Sequence, residues 1–398
     1  MGGLNKNKKM NKFVKTLALA VMAFAAVACN DEGGKGGNKS PYSADITTPA
    51  NCYIVAPGST VRFVANIGNS AEKAVFTTAE LTWQDVKGMV TKVDAQAAEG
   101  KVVVTLASGI EGNALVSVKD AEGKIVWNYH LWVTNYNPDE NAMVQNFTKP
   151  IDGVDTPFSF VMMDRHLGAM ANEVGSAASL GLHYNWGRPA PLFAAGTIDN
   201  SGYKTYYTLE GDTVETTLAA AVEDIANCVA TAIANPTTQY NGGSDCNFSW
   251  LSRDYAKTAE CDDMWGGVSN TQTKYDPCPA GWRVAPYHAF RFANTDLTPN
   301  FEMVKEYTNN EVANANFLGI SVKMGEKSYY FPAGGESGPN GKFGSGIGST
   351  WPNGKVWSCV NDGDNCRAWA MTMTPSSVSH AGGTTYSYAL PVRCVKVQ

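Results

Sequence analysis

The sequence predicts a β-rich protein in two parts, an all-β sandwich followed by an α+β domain. Three observations predict it. Before residue 135, apolar and polar residues alternate with period two in several segments. Turn-forming pairs separate those segments: Pro57-Gly58, Glu99-Gly100 and Glu122-Gly123. After Tyr136 the pattern is mixed, with one stretch of helical period among short strands and glycine-rich loops. The composition agrees, since 39 Gly, 10 Trp, 17 Tyr and 15 Phe in 398 residues mark a turn-rich, aromatic chain.

Residues 1–28 read as a secretory leader. Lysines stand at positions 6, 8, 9, 12 and 15, and an apolar run extends from Phe13 to Ala28. That run is shorter than the roughly 20 residues a membrane-spanning helix needs. Ala26-Val27-Ala28-Cys29 resembles a bacterial lipobox, which implies that Cys29 is acylated and becomes the first residue of a lipid-anchored chain. Residues 29–44 are rich in Gly, Asn, Asp and Lys and are expected to be a flexible tether.

Residues 45–135 form the predicted sandwich, of immunoglobulin-like type. Val61, Phe63, Ala65 and Ile67 share one face of a strand, as do Val102, Val104 and Leu106. Ile125, Trp127, Tyr129, Leu131 and Val133 share one face of the last strand. Trp83, Trp127 and Trp132 are assigned to the core rather than to a sugar-stacking set.

Residues 136–398 form the second predicted domain. Thr216 or Thr217 can cap a helix running from Leu218 to about Asn235, where Pro236 stops it. Leu218, Val222, Ile225, Val229 and Ile233 lie at helical spacing along it. A second, weaker helix fits the segment after Pro286. Short strands are expected at Tyr329-Tyr330-Phe331, Lys355-Val356-Trp357, Ala368 to Met371 and Ala389 to Val397.

With 31 Lys and Arg against 37 Asp and Glu, the formal charge is −6, and loss of the leader's lysines makes it more negative. An acidic chain without a basic run excludes nucleic acid as the expected partner.

Several ordered motifs resemble a known family. Asn51-Cys52-Tyr53-Ile54-Val55, Gly112-Asn113-Ala114 and Ile125 to Trp132 resemble the N-terminal module of fimbrillin-like surface lipoproteins. Met163 to Ala169 is similar to that group's MDRNLGA motif, with His166 where Asn is usual, and Gly181 to Arg188 is similar to GLYYQWGR. Asp276 to Val284 resembles the DPCPxGWRVP signature of the major-paralogous (FISUMP-type) domain, and Val392-Arg393-Cys394-Val395 closes the usual order. The resemblance implies a C-type-lectin-like fold for residues 136–398. It also implies an outer-membrane, cell-surface lipoprotein with a role in adhesion or fimbriae.

In such a fold the first and last strands meet, which implies a disulfide between Cys278 and Cys394. Cys359 and Cys366 flank a Gly-centred turn and are a second candidate pair; the pairing of Cys52, Cys228, Cys246 and Cys261 stays open. Between Cys359 and Cys366 lie Asn361, Asp362, Asp364 and Asn365, hard oxygen donors of the kind calcium prefers. Glu336 and Asn340 faintly resemble the Glu-Pro-Asn motif of calcium-dependent lectins. Glu336, Asn340, Asp362 and Asp364 are thus a weak candidate set for calcium, and the expectation is a chain without a resident cofactor. Asn/Asp/Gly clusters are more often plain turns. Trp351, in a long Gly-rich loop, is the exposed aromatic candidate for a ligand contact.

No His-Glu-x-x-His, Gly-x-Ser-x-Gly or phosphate-loop motif occurs, and His166 beside Asp164 and Arg165 reads as structural. The expectation is a non-enzymatic, lipid-anchored binding protein, an adhesin or fimbria-associated subunit that recognises a glycan or protein. Two alternatives stay open: a structural fimbrial subunit that polymerises by strand exchange, and a divergent enzyme of the formylglycine-generating fold.

Overall fold

The computed structural model describes residues 43–147, 159–194, 196–197, 203–241, 249–293, 301–313, 316–338, 343–344, 354–361 and 366–398. The leader, Cys29 and most of the tether therefore lie outside the described residues. Residues Pro41–Gln398 form one compact unit. No described helix is long and apolar enough to cross a membrane.

Two sheets make a β-sandwich from the first third of the chain. One has the strand order Ala44–Ile46, Thr60–Val64, Lys101–Leu106, Val90–Gln96. The other places Thr78–Gln84, Gly112–Lys119, Ile125–Val133 and Cys52–Val55 side by side. Alternation decides which side chains face inward. Val61 and Phe63 turn to the core from the first sheet, while Trp83, Leu115 and Leu131 meet them from the second. Tyr53, Phe63 and Tyr129 form an aromatic cluster there, with Phe63 and Tyr129 ring centroids 5.2 Å apart. Trp83, Trp127 and Trp132 are buried, as core residues should be. The second sheet does not end with its own segment: Tyr206–Tyr207 adds to the Thr78–Gln84 edge and Thr213–Val214 pairs beyond it.

The remaining chain builds smaller sheets, which extend the first core through Trp186, Trp282 and Trp357 and enclose a second. Met143–Asn146, Ser159–Met162, Cys394–Lys396 and Trp282–Val284 form one antiparallel sheet, so the end of the chain pairs with the start of this region. Cys278 and Cys394 are joined by a disulfide across it, as expected. A hairpin sheet comprises Glu302–Tyr307, Phe317–Met324 and Lys327–Pro332. Another comprises Gly354–Asn361, Arg367–Met373 and Val378–Thr385. Phe290, Phe292, Ile320, Phe331, Val356 and Met371 fill the core between them.

The two expected helices need correction. Only Cys228–Ala234 of the Leu218–Asn235 segment is helical. Its beginning, Thr217–Ala220, is a strand lying parallel to Thr238–Asn241. Leu218 and Ile225, counted as core positions, are 51% and 45% exposed. The helical turn starts instead at Asp224, whose carbonyl accepts from the Cys228 amide at 3.0 Å and whose carboxylate accepts from the Ala226 amide at 2.9 Å. The segment after Pro286 forms a 3₁₀ turn, Tyr287–Ala293.

Candidate ligand-binding surface

The acidic loop expected to hold a ligand is only partly described. Asn340, Trp351, Asp362, Asp364 and Asn365 lie outside the described residues. Glu336 faces Lys355 at 2.5 Å, so its carboxylate already has a cationic partner. Asn361 donates to Asp262 Oδ1 at 2.8 Å and to the Tyr386 hydroxyl at 2.6 Å. Both side chains thus serve contacts within the fold. Among the described residues no group of three or more His, Cys, Asp or Glu could hold a metal ion.

The expected Cys359–Cys366 bridge is not formed. Cys359 is a free, buried thiol, whereas Cys366 is disulfide-bonded elsewhere. The hairpin does close, with Asn361 opposite Ala368, but proximity across a turn does not orient two Cβ vectors. Cys359 lies beside Arg283 Nη1 at 3.6 Å. Burial nevertheless pushes its thiol up to about 12, far from a reactive thiolate.

The motif residues make a buried polar framework. Asp276 accepts from the Cys278 amide with one oxygen and from the Val284 amide with the other, both at 2.9 Å. It thereby shapes the loop that carries the disulfide. Burial raises its carboxyl to about 7 against these two bonds. Trp186 donates to the Ser358 carbonyl at 2.9 Å and Trp357 to the Tyr184 carbonyl at 2.8 Å. Arg188, buried, donates to the carbonyls of Thr238 and Ala232 at 2.7 and 3.0 Å. It closes the end of the short helix onto the neighbouring strand.

His166 belongs to this framework as well. Arg393 Nε donates to His166 Nδ1 at 3.4 Å, and the same guanidinium donates to the Tyr330 carbonyl at 2.6 Å. Burial, then the Arg393 charge, hold the imidazole well below its ordinary range. Asp164 is engaged by Arg165 through two bonds, at 2.9 and 3.1 Å. A neutral, enclosed imidazole with an arginine on its acceptor nitrogen is a structural element, not a proton shuttle at neutral pH.

Asn51 and Asn113, motif residues to which the sequence alone assigns no role, hold neighbouring loops. Asn51 donates to the carbonyls of Lys274 and Asp276, both at 2.8 Å, and accepts from Trp127 at 2.9 Å. Asn113 donates to Asp85 and to the Gly168 carbonyl, both at 2.9 Å. Asp85 also meets Lys204 at 2.8 Å in a shallow cleft. The cleft's charges neutralise each other, and its walls are Met170, Leu180 and Leu182.

A different surface keeps aromatic rings accessible. Of the nine tryptophans described, eight are buried and Trp369 is not. On its strand Ala368 and Ala370 point inward while Arg367 and Trp369 stay partly exposed. Beside it stands Tyr287, whose ring lies 6.1 Å from Trp369, 6.1 Å from His380 and 3.9 Å from His288. Tyr287, His288 and His380 are also partly exposed. Compared with known proteins, the chain matches no family model, no curated protein and no solved structure.

Proposed function

We propose that this chain is a lipid-anchored, outward-facing binding protein, an adhesin or fimbria-associated subunit. It would pair an immunoglobulin-like sandwich with a C-type-lectin-like domain. The observation that carries the reading is the Tyr287, His288, Trp369 and His380 surface. A chain that buries eight of nine described tryptophans leaves this aromatic set partly exposed. The leader and Cys29 supply the address, and the fimbrillin-like motifs agree with it. The framework around Asp276, Arg188 and Arg393 supports a binding role too, because its polar groups are spent on holding backbone carbonyls and amides.

Protease shaving of intact cells tests the display. The expected result is loss of the chain from intact cells. Protection in intact cells, with digestion only after lysis, would sink the reading. Cys29→Ser is expected to move the chain out of the membrane fraction; retention there would refute the anchor.

A further inference from the structure

We infer that Tyr287, Trp369 and His380 form a platform that stacks a pyranose ring, making the ligand a carbohydrate. This deepens the binding reading above and rests on it.

The local chain shows why the platform exists. Pro286 precedes the 3₁₀ turn Tyr287–Ala293, and Ala289, Phe290 and Phe292 anchor that turn in the second core. The anchored end pins Tyr287 and His288 at the surface, at little entropic cost on binding. Trp369 is held by its strand, in register with Gly383 on the neighbouring strand. Paired residues of antiparallel strands put their side chains on the same face. A glycine opposite Trp369 therefore leaves that flank of the indole without a cross-strand cover. Tyr287 and His380 are nearly parallel, at 24°, and Trp369 is tilted 48° to Tyr287, which gives a shallow corner of rings rather than a closed pocket.

The chemistry selects the occupant. Aromatic faces carry partial negative charge, and the axial C–H bonds of a pyranose carry partial positive charge, so ring and sugar stack. The hydroxyls of the sugar need donors and acceptors at the rim. His288, His380 and Arg367 stand there, Arg367 also donating to the Gly383 carbonyl at 2.9 Å. A protein partner is the poorer match. A stable protein interface covers about 800 Å² on each side and centres on an apolar patch. The large exposed aliphatic residues of the described chain are Val75, Val144, Val174, Leu209, Leu218, Ile225, Val268 and Val312, and none belongs to this cluster. Ring stacking itself needs no divalent cation.

The experiment is a glycan array probed with the full chain solubilised from membranes. The array carries hexose, N-acetylhexosamine and uronic-acid oligosaccharides, with and without EDTA. The strongest hit is then titrated by tryptophan fluorescence. Binding that survives EDTA is expected. Trp369→Ala and Tyr287→Ala should each weaken it at least about tenfold while moving the melting temperature by no more than about 4 °C, and Trp369→Phe should retain most of it. Three results would overturn the inference: no glycan bound by a chain that shaving shows to be exposed, binding unchanged in both alanine variants, or binding abolished by EDTA. The first leaves the display reading standing. Failure of shaving, with glycan binding intact, would remove the display reading and leave the platform.

Discussion

Trp357 and Trp369 lie on adjacent strands of one three-stranded sheet and have opposite surroundings. Trp357 pairs in register with Ala370, is fully buried and donates its indole N–H to the Tyr184 carbonyl. Trp369, one residue before Ala370, turns to the other face and stays partly exposed beside Tyr287. The same contrast separates His166, enclosed with Arg393, from His380, stacked at the surface on Tyr287. Residue type does not decide role in this molecule; a one-position shift along a strand does. The motif-bearing residues stabilise the scaffold, and a residue outside the motifs' functional reading faces the solvent.

The largest effect is expected on the scaffold. The Cys278–Cys394 bond closes a loop with a sequence separation of 116, and its removal by Cys278→Ser and Cys394→Ser should cost about 4 to 5 kcal/mol on the chain-entropy model. Urea unfolding measures it, and a loss below about 1 kcal/mol would mean that the core holds the chain ends without it. Next, Trp357→Ala should cost about 3 to 5 kcal/mol, whereas Trp369→Ala should stay within about 1 kcal/mol. Equal losses in the two variants would erase the contrast between their faces.

Acid should act through the framework. His130 and His183 are held down at about 3, and His166 well below its ordinary range, all first by burial. The folded chain keeps these imidazoles neutral while the unfolded chain protonates them below about pH 6.5. Their contribution is therefore present above that pH and is lost as pH falls toward 3. Asp276, raised to about 7, acts in the opposite sense, keeping a proton in the fold that the unfolded chain has released above about pH 4. Three imidazoles against one carboxyl leave stability falling with acidification, by up to about 3 kcal/mol per pH unit between pH 6 and 4.5. His166→Asn should flatten that slope by about 1.4 kcal/mol per unit. Urea midpoints at pH 7.5 and 5.5 decide; an unchanged slope would show that His166 is already charged in the fold.

The smallest effect is expected at the acidic loop. Glu336→Gln removes a partly buried ion pair with Lys355 and should cost about 1 kcal/mol or less. EDTA should leave the melting temperature of the unsubstituted chain where it was. A drop in EDTA that Glu336→Gln abolishes would return calcium to this loop.

Much of the fold was readable where one segment carries its own pattern. Ile125–Val133 shows its period directly and forms the longest strand of the sandwich. The Leu218–Asn235 helix failed at its start because a 3.6-residue period cannot reveal that Thr217–Ala220 has a partner strand at Thr238–Asn241. The Cys278–Cys394 bond followed from strands expected to meet, a long-range constraint. The Cys359–Cys366 pairing relied on closeness in sequence, which says nothing of direction. Trp369 drew no notice as a site because a strand tryptophan looks alike on either face, and only the packed structure shows which face is covered.

One consequence concerns load. A pull on the chain ahead of Ala44 acts along Ala44–Ile46 and Cys52–Val55, each of which runs parallel to its neighbour, Thr60–Val64 and Ile125–Val133. Bonds perpendicular to such a pull are sheared together rather than unzipped singly. Behind them, the covalent closure from Cys278 to Cys394 withholds roughly 400 Å of chain from extension. Under flow, most of the last third of the polypeptide, aromatic corner included, would remain a short, closed body on its line.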